Sequence, residues 1–248
     1  RGKRGARARC RRGQRSVNRQ SVKKAPESAW SLRANVPGYG TSGQNARKRK
    51  GNLYGYIIFD MGNVLLTFDP EVPLARFCHS KEAKDLIRKE LFQGPEWIMG
   101  DQGILRNDER YEPVSHRIPS VYHRELADCV SHWDICMKPV PGALSFCQAC
   151  KDKGYHIYVL SNADNTFHDY FQRFAQESWF DGVIVSSDVH MIKPEPAIYR
   201  HLLQTFSLHP EECFFIDDRP ENVKAAVSLG MQGFVFQNDF TPLRKLLF

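Results

Sequence analysis

Short apolar runs alternate with segments of helical periodicity along most of this chain. Apolar residues are continuous over 56–59, 155–160, 183–185, 213–216 and 233–236, and each of these runs is the length of a buried strand. Helices are predicted between them, over about 141–154, 165–176, 195–206 and 220–229. Because buried strands that alternate with helices form parallel sheets covered on both faces, the pattern predicts an α/β fold with a doubly wound parallel sheet.

One long insertion interrupts this alternation after the first strand. Between Leu65 and Pro139 the pattern contains no convincing strand, and helical patches occur instead at 82–92, 107–117 and 120–131. We therefore expect a helical cap over residues 67–139, inserted into an α/β core made of residues 53–66 and 140–248. A cap in this position could exclude water from a site and select the substrate.

The first 52 residues differ in composition from the rest of the chain. Residues 1–50 hold 16 Lys and Arg but one acid, Glu27, whereas the remaining residues hold 19 bases and 27 acids. A segment this basic and poor in aliphatic residues is expected to be disordered. It has two aromatic residues and no recognisable motif, so we expect no nucleic-acid partner other than one bound through this tail. No Met precedes Met61, which is consistent with a fragment or with upstream sequence that is not native to the protein.

The composition of the whole chain favours a globular protein. A chain of 248 residues with 42% hydrophobic residues can build a real core. The seven cysteines are an odd number without a secretory signal, which argues against a disulfide framework. Cys147 and Cys150 have the spacing of half a zinc site, but no second pair follows, and they are interpreted as core residues. No apolar stretch is long enough to span a bilayer, so we expect a cytoplasmic protein without a membrane partner. The oligomeric state is left open.

Polar residues follow four of the predicted strands or precede the next helix. Asp60 comes directly after the first strand, Ser161 and Asn162 after the second, and Asp217 and Asp218 after the fourth, while Lys193-Pro194 lies between the third strand and a helix. Taken singly, each is more often a turn former, a helix cap or a solvated charge. Open α/β sheets, however, bind ligands at the carboxyl ends of their strands, so the four segments together predict a site there.

These four segments resemble the motifs of the haloacid dehalogenase-like (HAD) superfamily, in its branch with a helical cap after the first strand. The first two are Phe59-Asp60-Met61-Gly62-Asn63-Val64 and Leu160-Ser161-Asn162. The others are Lys193-Pro194-Glu195 and a run that begins Phe215-Ile216-Asp217-Asp218 and ends Arg219-Pro220-Glu221-Asn222. The pattern is most similar to sugar-phosphate phosphatases with an FDxGNV first motif, and it covers residues 54–248.

The resemblance implies a magnesium-dependent phosphatase that acts on a small phosphorylated metabolite. Asp60 would be the nucleophile that becomes an aspartyl phosphate, and Lys193 would supply positive charge. Mg²⁺ would be held by Asp60, the carbonyl of Gly62 and Asp218, with Asp217 farther away. Four residues would contact the substrate: Ser161, Asn162, Gly62 and Asn63.

One position departs from the usual pattern of this superfamily. Most of its phosphatases carry a second aspartate two residues after the nucleophile, which serves as general acid and base, but Gly62 stands there. Asp69, Asp164 or Asp101 could replace it, and the sequence does not decide among them. Two alternatives to the phosphatase therefore stay open, a haloacid dehalogenase and a phosphate-ligand binder without turnover.

Overall fold

A computed structural model describes residues 54–248, and the expected disorder of residues 1–52 lies outside this range. The described residues form one five-stranded sheet in which all neighbouring strands are parallel. The spatial order is β3-β2-β1-β4-β5. The strands are β1 (Tyr56–Phe59), β2 (His156–Ser161), β3 (Gly182–Val185), β4 (Cys213–Asp217) and β5 (Gln232–Val235). The predicted fold class is confirmed, and each strand end lies within one residue of its predicted position.

Helices connect and flank these strands. The α-helices are α1 (Glu71–Phe77), α2 (Lys81–Ile87), α3 (Pro95–Asp101), α4 (Tyr111–Ser115), α5 (His123–His132), α6 (Ala143–Asp152), α7 (Phe167–Phe171), α8 (Ser186–Val189), α9 (Pro196–Phe206), α10 (Pro220–Ser228) and α11 (Thr241–Leu247). None of the helices within residues 54–248 combines the length and the apolar character that crossing a bilayer requires.

The central strand β1 is buried on both faces of the sheet. Ile57 and Phe59 point to one side, where Phe146 of α6 belongs to the same hydrophobic cluster. Ile58 points to the other side and shares a second cluster with residues of α9, including Ile198 and Leu202. Successive side chains of a strand face opposite sides, so a strand without alternation of polar and apolar residues requires two apolar layers.

The insertion after β1 consists of helices joined by short loops, and they match the predicted patches in part, since the patch at 120–131 is a 3-10 turn followed by α5. The patch at 82–92 is α2 followed by a π-helical turn, and the patch at 107–117 is a 3-10 turn followed by α4. Helices α1 and α3 were not predicted, because Pro73 and Gly100 interrupt the apolar periodicity within them. Buried residues of the insertion belong to the same hydrophobic cluster as β1, so the domain boundaries at residues 66 and 140 stay predictions.

In the rest of the fold, the largest difference from prediction concerns residues 165–176. Only Phe167–Phe171 are α-helical there, and the following residues form a turn packed through Phe174. Helices α8 and α11 were also not predicted. Each is seven residues or shorter, which leaves too few turns for a helical pattern to be recognised in the sequence.

Candidate active site

The strand order reverses between β1 and β4, and the polar residues collect at that edge. Phe59 of β1 pairs with Ile216 of β4, so the next residues, Asp60 and Asp217, lie side by side at the carboxyl ends of the two strands. The backbone N–H of Asp60 donates to the carbonyl of Ile216 at 2.8 Å, which extends the ladder by one bond. This crevice is where doubly wound sheets bind ligands.

Lys193 joins the two carboxylates. Its Nζ lies 2.8 Å from Asp60 Oδ1 and 2.8 Å from Asp217 Oδ2, and it donates a third bond of 2.8 Å to the carbonyl of Leu160. Three acceptors use all three ammonium protons. Burial lowers the pKa of Lys193, but the charges of Asp60 and Asp217 outweigh it, and the net shift is upward. The side chain therefore stays a buried cation.

Asn162 fixes the backbone that carries this lysine. Its Oδ1 accepts from the N–H of Lys193 at 2.8 Å, and its Nδ2 donates to the carbonyl of the same residue at 2.9 Å. The reciprocal pair ties the end of β2 to the loop before α9. The contact of Asn162 with substrate stays a prediction, and within residues 54–248 its side chain positions Lys193.

The two aspartates at the end of β4 have different surroundings. Asp217 is fully buried, and its oxygens accept from Lys193, from Asn222 Nδ2 at 3.0 Å and from the N–H of Arg219 at 2.9 Å. Asp218 is half-buried, lines the cavity described below and accepts from Asn63 Nδ2 at 3.1 Å. Asp218 therefore has oxygen lone pairs facing the cavity, whereas Asp217 has little capacity left.

The turn after Asp60 is built around Asn63. Asn63 has a φ of 55°, a left-handed conformation that asparagine tolerates better than most residues. Its Oδ1 accepts from the N–H of Phe68 at 2.9 Å, while its Nδ2 holds Asp218. Gly62, beside it, lines the cavity and has open space where a side chain would be. The amide of Asn63 thus positions a neighbouring carboxylate.

Negative charge accumulates at this edge of the sheet. One oxygen each from Asp60, Asp217 and Asp218 lie within 4.8 Å of one another, and Lys193 is the cation in contact with two of them. Burial and the charge of Asp217 raise the pKa of Asp60 to about 7, although Lys193 opposes the shift. Burial and Asp217 also raise the pKa of Asp218. A divalent cation bound by oxygen would relieve this repulsion, so the donor set fits Mg²⁺.

Ser161 is the last residue of β2 and is completely buried. No group among residues 54–248 forms a hydrogen bond with its hydroxyl. An unsatisfied buried hydroxyl costs about 1–3 kcal/mol, so such a group is expected to have a partner that the protein itself does not provide.

A cavity of about 500 Å³ opens above these residues, with a polar floor and an apolar wall. Asp60, Asn162, Lys193 and Asp218 belong to the floor. The wall comes largely from the insertion after β1, and its members are Phe68, Phe92, Trp97, Ile98, Trp133 and Met137. The centroids of the Trp97 and Trp133 rings are 5.1 Å apart and nearly perpendicular. Trp133 belongs to the buried hydrophobic cluster and Trp97 packs against it, so both rings contribute to packing as well as to the cavity.

A buried ion pair beside the cavity was not predicted. Arg110, from the 3-10 turn before α4, and Asp164, from the loop after β2, are both fully buried, and their charged atoms lie 2.6 Å apart. The guanidinium also lies 4.4 Å from the centre of the Trp97 ring. The sequence offered no signal for this pair, because Asn107-Asp108-Glu109-Arg110 has the composition of an exposed turn.

Known proteins resemble this chain over most of its described length. A haloacid dehalogenase-like hydrolase family model matches residues 54–230. A sesquiterpene phosphatase of Aspergillus oryzae is 29% identical over 76% of this chain and 93% of its own length. A phosphoglycolate phosphatase of Pasteurella multocida is 23% identical over 69% of this chain and 80% of its own.

A similar fold has also been solved. The structure of a HAD family enzyme from Bacteroides thetaiotaomicron, in complex with magnesium and inorganic phosphate, superposes with a TM-score of 0.61 at 21% identity. It covers 77% of this chain and 98% of that one. At this identity the similarity establishes the fold, and the α/β architecture predicted from the sequence agrees with it.

Proposed function

Because this chain belongs to the haloacid dehalogenase-like hydrolases, we propose that it is a magnesium-dependent phosphatase of a small phosphorylated metabolite. One observation carries the proposal. The carboxylate of Asp60 contacts a buried lysine, lies within 4.8 Å of two further carboxylates and faces a cavity. A nucleophile, a cation and an acidic cluster are the parts that phosphoryl transfer through an aspartyl phosphate needs.

Asp60 is the proposed nucleophile. A carboxylate that approaches a phosphate is repelled by its negative charge, so positive charge must be near both. Lys193 supplies that charge from a fixed position, because its three hydrogen bonds and the Asn162 pair hold it. The second phosphoryl transfer, from Asp60 to water, releases inorganic phosphate and restores the carboxylate.

Mg²⁺ is the proposed cofactor. Asp60, Asp218 and the carbonyl of Gly62 would hold it. Asp217 would orient Lys193 from behind, since its oxygens already accept from Lys193 and from two other donors, Asn222 and the N–H of Arg219. When bound, the ion neutralises charge on the phosphate oxygens. A solved structure of the same fold contains magnesium and phosphate, which is consistent with this assignment.

Ser161 and Asn162 are the proposed phosphate contacts from the end of β2. The hydroxyl of Ser161 lacks a protein partner among the described residues. The side chain of Asn162 is engaged by Lys193, so its proposed contact is the backbone N–H. We assign the predicted substrate contacts of Gly62 and Asn63 to the backbone of their turn. The side-chain amide of Asn63 is already engaged, because it donates to Asp218 and accepts from the N–H of Phe68.

The alcohol part of the substrate faces a wall of aromatic and aliphatic side chains. The sequence resemblance implies a sugar phosphate. The wall, together with the relationship to a sesquiterpene phosphatase, favours a second candidate, the phosphate ester of an apolar alcohol. The cytoplasmic location and the lack of nucleic-acid and membrane partners stay predictions from the sequence.

An assay of the full chain with and without Mg²⁺ tests the proposed function. The substrates are p-nitrophenyl phosphate, a set of sugar phosphates, a set of prenyl and other apolar alkyl phosphates, and chloroacetate. We expect phosphate release that disappears with a chelator and returns with Mg²⁺. Chloride release from chloroacetate would instead establish the dehalogenase, against which the acidic cluster argues. Phosphate-ester binding without turnover would establish the non-catalytic binder.

Replacing Ile98 tests the contribution of the apolar wall. Ile98 lines the cavity, and its exposed fraction is 55%, so a change there should leave the fold intact. The variant Ile98→Asn is expected to lower kcat/KM for an apolar alkyl phosphate about tenfold, the equivalent of one buried aliphatic side chain. Ile104→Asn is the matched control, because Ile104 is 64% exposed and does not line the cavity. Equal losses on sugar phosphates and alkyl phosphates would reject apolar selection by the wall.

A further inference from the structure

Hydrolysis of an alkyl phosphate needs a proton donor that Gly62 does not provide. An alkoxide is a poor leaving group unless it is protonated as the bond to phosphorus breaks, and a positioned acid speeds such a step about 10²–10⁴-fold. Among the described residues, four carboxylates line the cavity: Asp60, Asp101, Asp164 and Asp218. The donor can be sought among these four.

Three of the four carboxylates are already engaged. Asp60 contacts Lys193, and Asp218 belongs to the acidic cluster and accepts from Asn63. Asp164 accepts from Arg110 at 2.6 Å and from the N–H and hydroxyl of Thr166, so its oxygens are held in a structural pair. Asp69, the other residue considered from the sequence, is exposed and accepts from the N–H of Glu71 outside the cavity.

Asp101 differs from these three residues. It is half-buried at the last position of α3, and no group among residues 54–248 forms a hydrogen bond with its carboxylate. Its backbone, in contrast, is fixed to the core, because Ser186 Oγ donates to its carbonyl at 2.5 Å. The next carbonyl, that of Gln102, is 3.1 Å from His190 Nδ1. A rigid main chain thus presents an unengaged carboxyl group to the cavity.

Two glycines near Asp101 allow the backbone of this segment to approach its neighbours closely. Gly103 has a φ of 69°, and a side chain there would collide with the carbonyl of Ser187. A side chain at Gly100 would collide with the guanidinium of Arg110. Gly103 therefore lets the end of α3 lie directly against α8, and Gly100 leaves room for the guanidinium of Arg110.

Asp101 and the proposed nucleophile Asp60 line the same cavity, and Tyr170 lines it with them. Tyr170 is buried and lines the cavity, and its pKa is raised by burial and by the charges of Asp164, Asp101 and Asp60.

The surroundings of Asp101 also suit a group that gives and takes a proton. Burial raises the pKa of Asp101 to about 7, with Asp164 adding to the shift and Arg110, Arg219 and Lys193 opposing it. An acid whose pKa is close to the working pH is present in both its protonated and its ionised form. The protonated form can donate a proton in one half-reaction, and the ionised form can accept one in the other.

We propose that Asp101 is the general acid and base of this enzyme, carried by α3 in place of the side chain that Gly62 lacks. The inference rests on the proposed phosphatase activity. In the first step an oxygen of Asp60 bonds to phosphorus, the bond from phosphorus to the ester oxygen breaks, and Asp101 transfers its proton to that oxygen to release the alcohol. In the second step Asp101 takes a proton from water, the water oxygen bonds to phosphorus, and the bond to Asp60 breaks.

The variant Asp101→Asn tests this role with two substrates that differ in their need for a proton. For an alkyl phosphate, release of the alcohol in the first turnover is expected to slow about 10²–10⁴-fold. For p-nitrophenyl phosphate, whose leaving group needs no proton, a first-turnover burst of p-nitrophenol is expected at close to the wild-type rate. Later turnovers should be slow, because the phosphorylated Asp60 waits for an activated water, and mass spectrometry should detect the added phosphoryl group.

Asp108→Asn is the matched control, since Asp108 is an exposed acid in the same part of the chain. It is expected to behave as the wild type with both substrates. In the wild type, alkyl phosphate cleavage should also fall above pH about 7, as Asp101 loses its proton, whereas the p-nitrophenol burst should not.

Two results would overturn the assignment. Equal slowing of both first-turnover rates in Asp101→Asn would indicate a structural role, and unchanged rates would mean that another group provides the proton. Failure of the proposed function is distinguishable from both, because the wild type would then release no phosphate from either substrate.

Discussion

The variant Asp60→Asn is expected to lose turnover by a factor on the order of 10⁴ or more, the scale seen when a catalytic nucleophile is removed. An amide cannot form the phosphoryl ester, whereas the remaining site is retained because asparagine has nearly the same shape. Steady-state phosphate release with Mg²⁺ present measures the effect. Asp69→Asn, at an exposed acid, is the control and should retain full activity.

Stability measurements separate this loss of chemistry from a loss of folding. The pKa of Asp60 is raised to about 7 by burial and by Asp217, so the folded protein prefers the protonated acid more than the unfolded chain does. The contribution of Asp60 to stability is therefore present at low pH and is lost as the pH rises through about 7. Without metal at pH 8, Asp60→Asn should unfold at the same or a higher urea concentration than the wild type.

Two outcomes would count against this interpretation of Asp60. Activity above about 1% of the wild type would show that another group attacks phosphorus. A lower urea midpoint at pH 8 would show that the charge of Asp60 stabilises the fold through Lys193 more than burial opposes it.

Three of the four floor residues could be predicted because Asp60, Asn162 and Asp218 each come directly after a buried strand. Asp60 and Asp217 are placed by the ends of strands whose apolar character is continuous, and parallel strands bring their carboxyl ends to one edge. The ends of these strands can therefore be predicted from the apolar runs without knowing the conformations of the loops. The position of Lys193 follows less directly, because the paired amide of Asn162 decides it.

The wall and the proton donor could not be predicted in the same way. Asp101 ends a helix that begins at Gly94-Pro95 and contains Gly100, so no helical periodicity marks it. Its exposure depends on how α3 packs against α8, through a contact between Asp101 and Ser186, which are 85 positions apart in the chain. Such tertiary contacts determine which of several acids faces a cavity, and they cannot be inferred from the local sequence around each acid.

Arg110 is the position where a substitution should affect stability most. Its side chain is completely buried and contacts Asp164, the amide oxygen of Asn107 and the carbonyl of Glu96. The variant Arg110→Met leaves the Asp164 carboxylate buried without its counter-ion. Breaking a buried pair in this way costs about 3–5 kcal/mol, and we expect a loss of that size in urea unfolding of residues 54–248 within the full chain.

The double variant Arg110→Met with Asp164→Asn distinguishes the buried charge from the packing of the arginine. It removes both charges, so no unpaired charge stays buried, and it should be more stable than Arg110→Met alone. Arg106→Met is the matched control, since the Arg106 side chain is 64% exposed, and its effect should stay within about 0.5 kcal/mol. If the double variant is no more stable than the single one, the loss in Arg110→Met comes from the missing contacts of the arginine with the backbone and Asn107, and not from the unpaired charge of Asp164.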